Sequence, residues 1–438
     1  MRGHEPGADG RDRSSGGRLR DGGPGEDARG GVPGRGGRRP AQGTSRRPRP
    51  PHTDRSGTTP VELTFLPGLG SVLHGEVVAA LQPRRAPCPV PGRDDALLVH
   101  LDGPLAQVRR LRTAVAAFVV VHLDVPRPRS IASGEHLGRV AAAVHASLRV
   151  ERSVSFRFEA AGSGSPTFLR LAGLLAEATG LEHRPDDGEL VVRVRRGRPR
   201  DDGPPEGRHR RTTPYGPRPD RLTTPPTDPG WDVLVRVGPR PLSARPWRVA
   251  DYPGAANATI AAAMTRLVGV QAGDRVLNLM CGSGTLLVER LLAGPAAAAV
   301  GVDLAPEALA AARANLAAAR LGANRPPVVW VQGDALAPPW APSADGGPVA
   351  GPFDVVLADP PWGTLHGSHA DGERVHAGLL RAAHDVTAPG GRLVVLTHEI
   401  RVMERCLRAA AGLWSVRADP VRVFAKGHHP RIYVLDRR

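Results

Sequence analysis

The chain has 438 residues, 53 of them Gly and 45 Pro, and only 40% are apolar, so two or three domains are expected, with part of the chain outside any packed core. A formal net charge of +16 favours an anionic partner, nucleic acid ahead of a membrane surface; the basic residues are almost all arginine, Lys426 being the only lysine, and a coding bias toward Arg, Ala, Gly and Pro accounts for part of the excess. Three scattered cysteines, Cys88, Cys281 and Cys406, exclude a disulfide framework and a zinc module built on cysteine pairs, and point to a reducing, cytoplasmic setting.

Residues 1–57 are Gly, Arg, Pro, Ser and Asp with almost no large apolar side chain. Such a segment buries too little surface to offset its ordering entropy, so a disordered basic tail is predicted. It has no apolar core, and no signal peptide is expected. The longest apolar run, 114–121, is far short of the roughly 20 residues of a membrane span.

Globular patterning begins with Val61, Leu63 and Phe65, which alternate as in a strand before Pro67-Gly68 turns into a helical period. Residues 94–125 alternate around a helical stretch. "SVSFRFEAAG" then reads as a strand, "SPTFLRLAGLLAEATG" as a helix ended by Gly180, and "GELVVRVRR" as a strand. Residues 58–196 are therefore expected to form a small α+β region, and 197–230, rich in Pro and Arg without periodicity, a linker. From 231 to 438 strands and helices alternate: strands at "DRVLNLM", "AAAVGVDL", "PVVWVQGDA", "FDVVLADPP" and "GRLVVLTHE", helices over 286–292, 306–320, 374–386 and 401–411. That order predicts a parallel sheet covered by helices on both faces. Two last strands, "VRVFAKG" and "RIYVLDR", close it as an antiparallel hairpin around His428-His429-Pro430.

"VLNLMCGSGTLLVE" is strand, glycine turn, helix, which lets a ligand approach the backbone at the carboxyl edge of a sheet. A dinucleotide fingerprint would need a third glycine at position 287, where Leu287 stands, and no Gly-Lys-Ser/Thr follows. The short turn of Cys281, Gly282, Ser283, Gly284 and Thr285 suits an adenosine ligand without pyrophosphate. Asp303 ends the next strand and is placed to accept hydrogen bonds from both ribose hydroxyls; its alternative role is an acid ahead of the helix that Pro306 opens. Asp334 ends the third strand, placed to accept from an adenine amino group while the Ala335 N–H meets a ring nitrogen. Three acids at successive strand ends, with Asp359 the third, resemble an S-adenosylmethionine-dependent methyltransferase.

Asp359, Pro360, Pro361 and Trp362 follow a buried strand, because proline cannot extend a ladder. The exocyclic amine of a base is a poor nucleophile, its lone pair being delocalised into the ring. The Asp359 carboxylate and Pro360 carbonyl are acceptors able to localise that lone pair, and Trp362 offers a flat face to an unstacked base. No cysteine sits beside the elbow, which argues against carbon methylation of pyrimidines.

"ADPPWG" resembles the (Asp/Asn)-Pro-Pro-aromatic motif of amino-group methyltransferases acting on nucleic acids, shared by adenine-N6 and guanine-N2 enzymes. "GWDVLVRVGPRPLSARPWRVADYPGAANATIAAAM", running into the glycine turn, is similar to the THUMP-containing RNA guanine-N2 methyltransferases. "PGLGSVLHGEV", "SFRFEAAGSGSPTFLRLAG" and "ELVVRVRR" look like that family's ferredoxin-like unit and THUMP domain. The resemblance implies an α/β fold: a Rossmann-like methyltransferase domain with a seven-stranded, mostly parallel sheet, and an N-terminal RNA-binding region. It implies S-adenosylmethionine as cofactor, no metal, and tRNA as partner, with methyl transfer to guanosine N2 in the acceptor stem. Carried over by position, Gly282, Gly284 and Asp303 hold the cofactor, Asp334 its adenine, and Asp359, Pro360 and Trp362 the guanine. Where the family usually has an acid, this chain has Asn278, expected to hydrogen-bond the methionine amine without adding charge. The alternatives are the same chemistry on ribosomal RNA, an adenine-N6 methyltransferase, and a non-catalytic RNA-binding protein. Arg193, Arg195, Arg196, Arg198 and Arg200 are candidate phosphate contacts; the sequence favours a monomer without fixing it.

Overall fold

The structure is a computed structural model, described here for residues 57–197, 228–322, 326–338, 351–361 and 369–438. These residues belong to one compact unit built on two sheets. The first contains β1 (Thr59–Phe65), β2 (Cys88–Pro89), β3 (Ala96–Leu101), β4 (Ala114–Leu123), β5 (Ser155–Glu159), β6 (Glu182–His183), β7 (Leu190–Arg196) and β8 (Trp231–Arg236), with helices α1 (Gly70–Leu81), α2 (Gly134–Val150) and α3 (Pro166–Thr179). Its strand order is β2-β3-β1-β4-β8-β7-β5-β6.

The local rules hold well in this part. Helix α3 opens with Pro166 in its first turn, where a missing N–H costs nothing, and ends at Gly180 with φ +74°, a left-handed turn open to glycine. Phe168, Leu171, Ala172 and Leu175 recur at helical spacing and are buried, packing among Phe156 and Phe158 of β5 in the core. Full burial of one such large apolar side chain contributes about 1.5–3 kcal/mol.

The second sheet contains β9 (Arg275–Leu279), β10 (Ala298–Asp303), β11 (Val328–Gln332), β12 (Phe353–Ala358), β13 (Thr387–Thr397), β14 (Trp414–Val416), β15 (Val421–Arg422) and β16 (Arg431–Arg437). Among the described residues it runs β11-β10-β9-β12-β13-β16-β14, with β15 paired to β16 beside this path. The first five strands are parallel and β16 is antiparallel to β13. Helices α4 (Ala258–Val268), α5 (Thr285–Ala293), α6 (Pro306–Ala318), α7 (His369–Val386) and α8 (Ile400–Ala409) pack with it. Val276, Leu277, Leu279, Val355 and Val356 are at most 1% exposed, as strands covered on both faces require. The α/β class, the parallel run and the antiparallel end are those expected.

Several details differ from the sequence reading. The changeover between sheets does not fall at residue 231. β8 lies between β4 and β7, pairing Leu234 with Val120 on one side and Val235 with Val192 on the other. Its buried apolar run satisfies an interior strand of either sheet, so the sequence does not reveal which. Helix α2 was not anticipated. At the C-terminus β16 is flanked by β14 as well as by β15, so the expected hairpin is only part of that edge. Residues 1–56 of the expected tail and 198–227 of the expected linker lie outside the described residues. Among the described residues no helix is long and apolar enough to cross a membrane.

Candidate active site

The strand order turns back at β9, which has β10 on one side and β12 on the other. Such a reversal opens a crevice at the carboxyl edge of the sheet. The glycine turn leaves β9 into it. Gly282 and Gly284 have φ +52° and +75°, a region glycine enters without strain. The turn closes with the Gly284 N–H donating to the Cys281 carbonyl (2.8 Å), and is tied to β10 by the Cys281 N–H donating to the Val302 carbonyl (3.0 Å).

Asp303, at the end of β10, organises the turn. One carboxylate oxygen accepts from the Gly282 N–H (2.7 Å) and the other from the Ala305 N–H (3.0 Å), just ahead of α6. The acid ties the glycine turn to the entry of α6, and each oxygen keeps acceptor capacity. Asp303→Ala is expected to weaken binding of S-adenosylhomocysteine about a hundredfold, by losing two or more charge-assisted bonds; isothermal calorimetry measures it.

A cavity of about 680 Å³ fills the crevice, within the range of small-molecule sites. It brings together most of the residues singled out in the sequence: Cys281, Gly282, Ser283 and Thr285 from the turn, Asp303, then Asp334 and Ala335 after β11, and Asp359, Pro360 and Pro361 after β12. Burial, reinforced by the Asp303 charge, pushes the Cys281 thiol well up, so it stays protonated at neutral pH. Trp362 lies outside the described residues.

Asp359 stands apart from the other two acids. Its Oδ1 is enclosed and has no hydrogen-bond partner among the described residues, whereas Asp334 Oδ1 accepts from the Leu336 N–H (2.9 Å). Burial pushes the Asp359 carboxyl up to about 7. A carboxylate with a vacant lone pair at the wall of a cavity is an acceptor waiting for a donor.

Two expected residues do not line the cavity. Asn278 is fully buried within β9; its Nδ2 donates to the carbonyls of Leu279 (3.2 Å) and Leu357 (3.1 Å). Its amide nitrogen is spent on joining β9 to β12, while its Oδ1, also buried, has no hydrogen-bond partner among the described residues. Gly284 backs onto α6 instead: a Cβ there would lie 3.0 Å from the Ala312 Cβ and 3.1 Å from the Trp330 ring.

The cavity also has walls that no motif announced. Tyr252, Pro253 and Gly254 precede α4, Leu304 follows Asp303, and Arg374 and Val375 come from α7. Burial, with the charges of Asp303 and Glu307, raises the Tyr252 phenol. The Pro-Gly turn ahead of the Asn257 cap was a usable signal for Tyr252–Gly254; Arg374 had none. Arg245 and Glu289 lie beneath the site rather than in it: Glu289, fully buried on α5, accepts from Arg245 Nε and Arg112 Nη2, both at 2.8 Å. The arginines of β7 are also engaged locally, Arg193 with Glu159, Arg195 with Glu62 and Arg196 with Asp228, so the row expected to face phosphates is largely paired within the fold; Arg198 and Arg200 lie outside the described residues.

Comparison with known proteins agrees with this geometry. Over 205 residues the chain is 30% identical to tRNA (guanine(6)-N2)-methyltransferase of Thermus thermophilus, covering 46% of this chain and 56% of that protein. Over 152 residues it is 38% identical to ribosomal RNA large subunit methyltransferase K/L of Chromohalobacter salexigens, covering 34% of this chain and 19% of that one. The chain thus spans at most about half the length of these curated relatives. The crystal structure of TrmN from Thermus thermophilus superposes with a TM-score of 0.60 at 24% identity, over 87% of this chain and 100% of that one, a likeness of fold that includes the N-terminal sheet. Residues 245–430, which contain the glycine turn, the three strand-end acids and the Asp-Pro-Pro elbow, match the family model described as UPF0020: RMKL-like, methyltransferase domain.

Proposed function

We propose that this protein is an RNA methyltransferase that moves a methyl group from S-adenosylmethionine to the exocyclic N2 of a guanosine in tRNA. The observation that carries the reading is the unpartnered, enclosed Asp359 carboxylate oxygen at the wall of the cavity that also holds Asp303 and the glycine turn. The residues present fit the cofactor. The turn lacks side chains where a ligand would approach, Asp303 retains acceptor capacity for ribose hydroxyls, and Asp334 and Ala335 lie further along the same wall for the adenine. Bound there, the cofactor supplies a methyl group made electrophilic by its sulfonium.

The chain's own residues do the rest. Asp359 and the Pro360 carbonyl accept the N–H groups of the guanine amine, which directs its lone pair toward the methyl group. An amine that gains a methyl group must shed one proton, and Asp359, whose raised basicity suits it, would receive that proton. Positioning is the main catalytic effect. Trp362 is assigned the face on which the extruded base stacks.

The N-terminal sheet is assigned the task of gripping the RNA as a ferredoxin-like and THUMP region, and the reaction is placed in the cytoplasm. The similarity of 152 residues to a ribosomal RNA methyltransferase keeps ribosomal RNA as the alternative substrate. Incubation with methyl-labelled S-adenosylmethionine and, in parallel, unmodified tRNA and ribosomal RNA, followed by nucleoside mass spectrometry, tests the reading. Labelled N2-methylguanosine is expected. Label in adenosine overturns the base assignment, and label in ribosomal RNA alone overturns the tRNA assignment.

A further inference from the structure

Asn315 is fully buried on α6, behind the cavity rather than on its wall. Its amide makes four hydrogen bonds, the full capacity of the group. Oδ1 accepts from the N–H groups of Val249 and Ala250, both at 2.9 Å. Nδ2 donates to the carbonyls of Ala250 (3.0 Å) and Ser283 (3.1 Å).

These partners belong to two separate segments that reach the cavity. Ser283 is part of the glycine turn. Val249 and Ala250 begin the irregular stretch between β8 and α4 that supplies Tyr252, Pro253 and Gly254 to the cavity. The two segments meet closely, since a Cβ on Gly282 would stand 3.9 Å from Tyr252 Cδ1. The start of that stretch is otherwise held by the Val249 N–H donating also to the carbonyl of the buried Trp247 (3.0 Å). Val249 is 64% exposed, and the Arg248 side chain is engaged within the stretch, its Nη1 donating to the Ala256 carbonyl (3.1 Å) and its Nε near Asp251.

We infer that Asn315 is a positioning residue for the cofactor, stapling the 249–256 stretch to the glycine turn and so setting the width of the cavity. The inference rests on the proposed cofactor reading. The chemistry demands an amide. Aspartate would keep the acceptor but face the carbonyls of Ala250 and Ser283 with no donor, and an alkyl side chain would strip this partner from the Ala250 N–H and from the carbonyls of Ala250 and Ser283. A wall not held in place must be ordered when ligand binds, and that cost appears as lost affinity.

Calorimetric titration of the full chain with S-adenosylhomocysteine, paired with thermal unfolding of the free protein, tests it. Asn315→Ala is expected to raise Kd about tenfold or more and to raise the cofactor KM while kcat stays near wild type. Asn315→Asp should bind no better than Asn315→Ala. Ala250→Pro deletes one of the stapled N–H groups outside the core; it should raise Kd in the same direction with an unfolding temperature near wild type, and it decides the matter alone if the Asn315 variants do not fold. Wild-type Kd in a folded Ala250→Pro or Asn315→Ala protein would overturn the inference. If the wild type itself takes up no ligand, the cofactor reading has failed and the staple with it.

Discussion

Asp359→Ala should lower kcat for methyl transfer by about 10²–10³-fold, the scale for losing one preorganised electrostatic contact, while S-adenosylhomocysteine affinity stays near wild type. The pH dependence follows from the same side chain. The carboxyl is pushed up to about 7 by burial, and only its ionised form can take up the amine proton and accept N–H groups as a charge. In the free enzyme kcat/KM should therefore climb tenfold per pH unit below about 7 and level off above it. Bound sulfonium favours the carboxylate, so the profile of kcat should lie at lower pH. The stability consequence has the opposite sign. With a folded pKa above the unfolded value of 3.8, the folded state binds the extra proton between about pH 4 and 7, so stability falls as pH rises through that window and is flat above it. Asp359→Asn, neutral at every pH, should be inactive yet more stable than wild type at pH 8, by on the order of 2 kcal/mol. Thermal unfolding of both proteins at pH 5 and pH 8 checks this. A gap that does not widen with pH would mean the carboxyl is not the strained group.

Glu289→Ala should cost about 3–5 kcal/mol of stability, the scale for breaking a buried ion pair from one side. Glu289 is 0% exposed and takes both Arg112 and Arg245. Burial lowers the Arg245 guanidinium pKa and the Glu289 charge partly restores it, so removing the carboxylate strands a buried cation. Arg112 in turn belongs to the N-terminal part, where its backbone N–H and that of Thr113 donate to Glu76 of α1 (2.9 and 2.8 Å). The loss should appear in urea unfolding of the whole chain. A double-mutant cycle of Glu289→Gln with Arg245→Gln should give less than the sum of the singles, because the second change removes the stranded charge.

The catalytic sheet was legible because its signals are local. Buried strands read as apolar runs, three of them leading into an acid, and glycine at 282 and 284 marks a turn that other residues enter only under strain. The Asp-Pro-Pro elbow was legible for the same reason. What was not legible depends on partners distant in sequence. Asn278 stands where the resemblance assigns a cofactor contact, and the sequence does not show that its amide nitrogen is tied to Leu357 on the neighbouring strand while Oδ1 is left without a partner among the described residues. Asn315 lies within an alanine-rich helix with nothing to distinguish it, and its importance appears only when Ser283, Val249 and Ala250 arrive around it. The paired arginines of β7 show the same limit: charge can be counted in a sequence, but cancellation cannot.

The interior place of β8 sets a schedule for synthesis. A ribosome delivers β4 and β7 well before residues 231–236, and these two strands have no common partner until β8 slots between them. Through that interval the nascent N-terminal part carries two open ladders, the kind of edge that recruits foreign strands. Slow translation before residue 236 should therefore lower the yield of soluble protein, whereas a pause after it, with the first sheet complete, should be harmless.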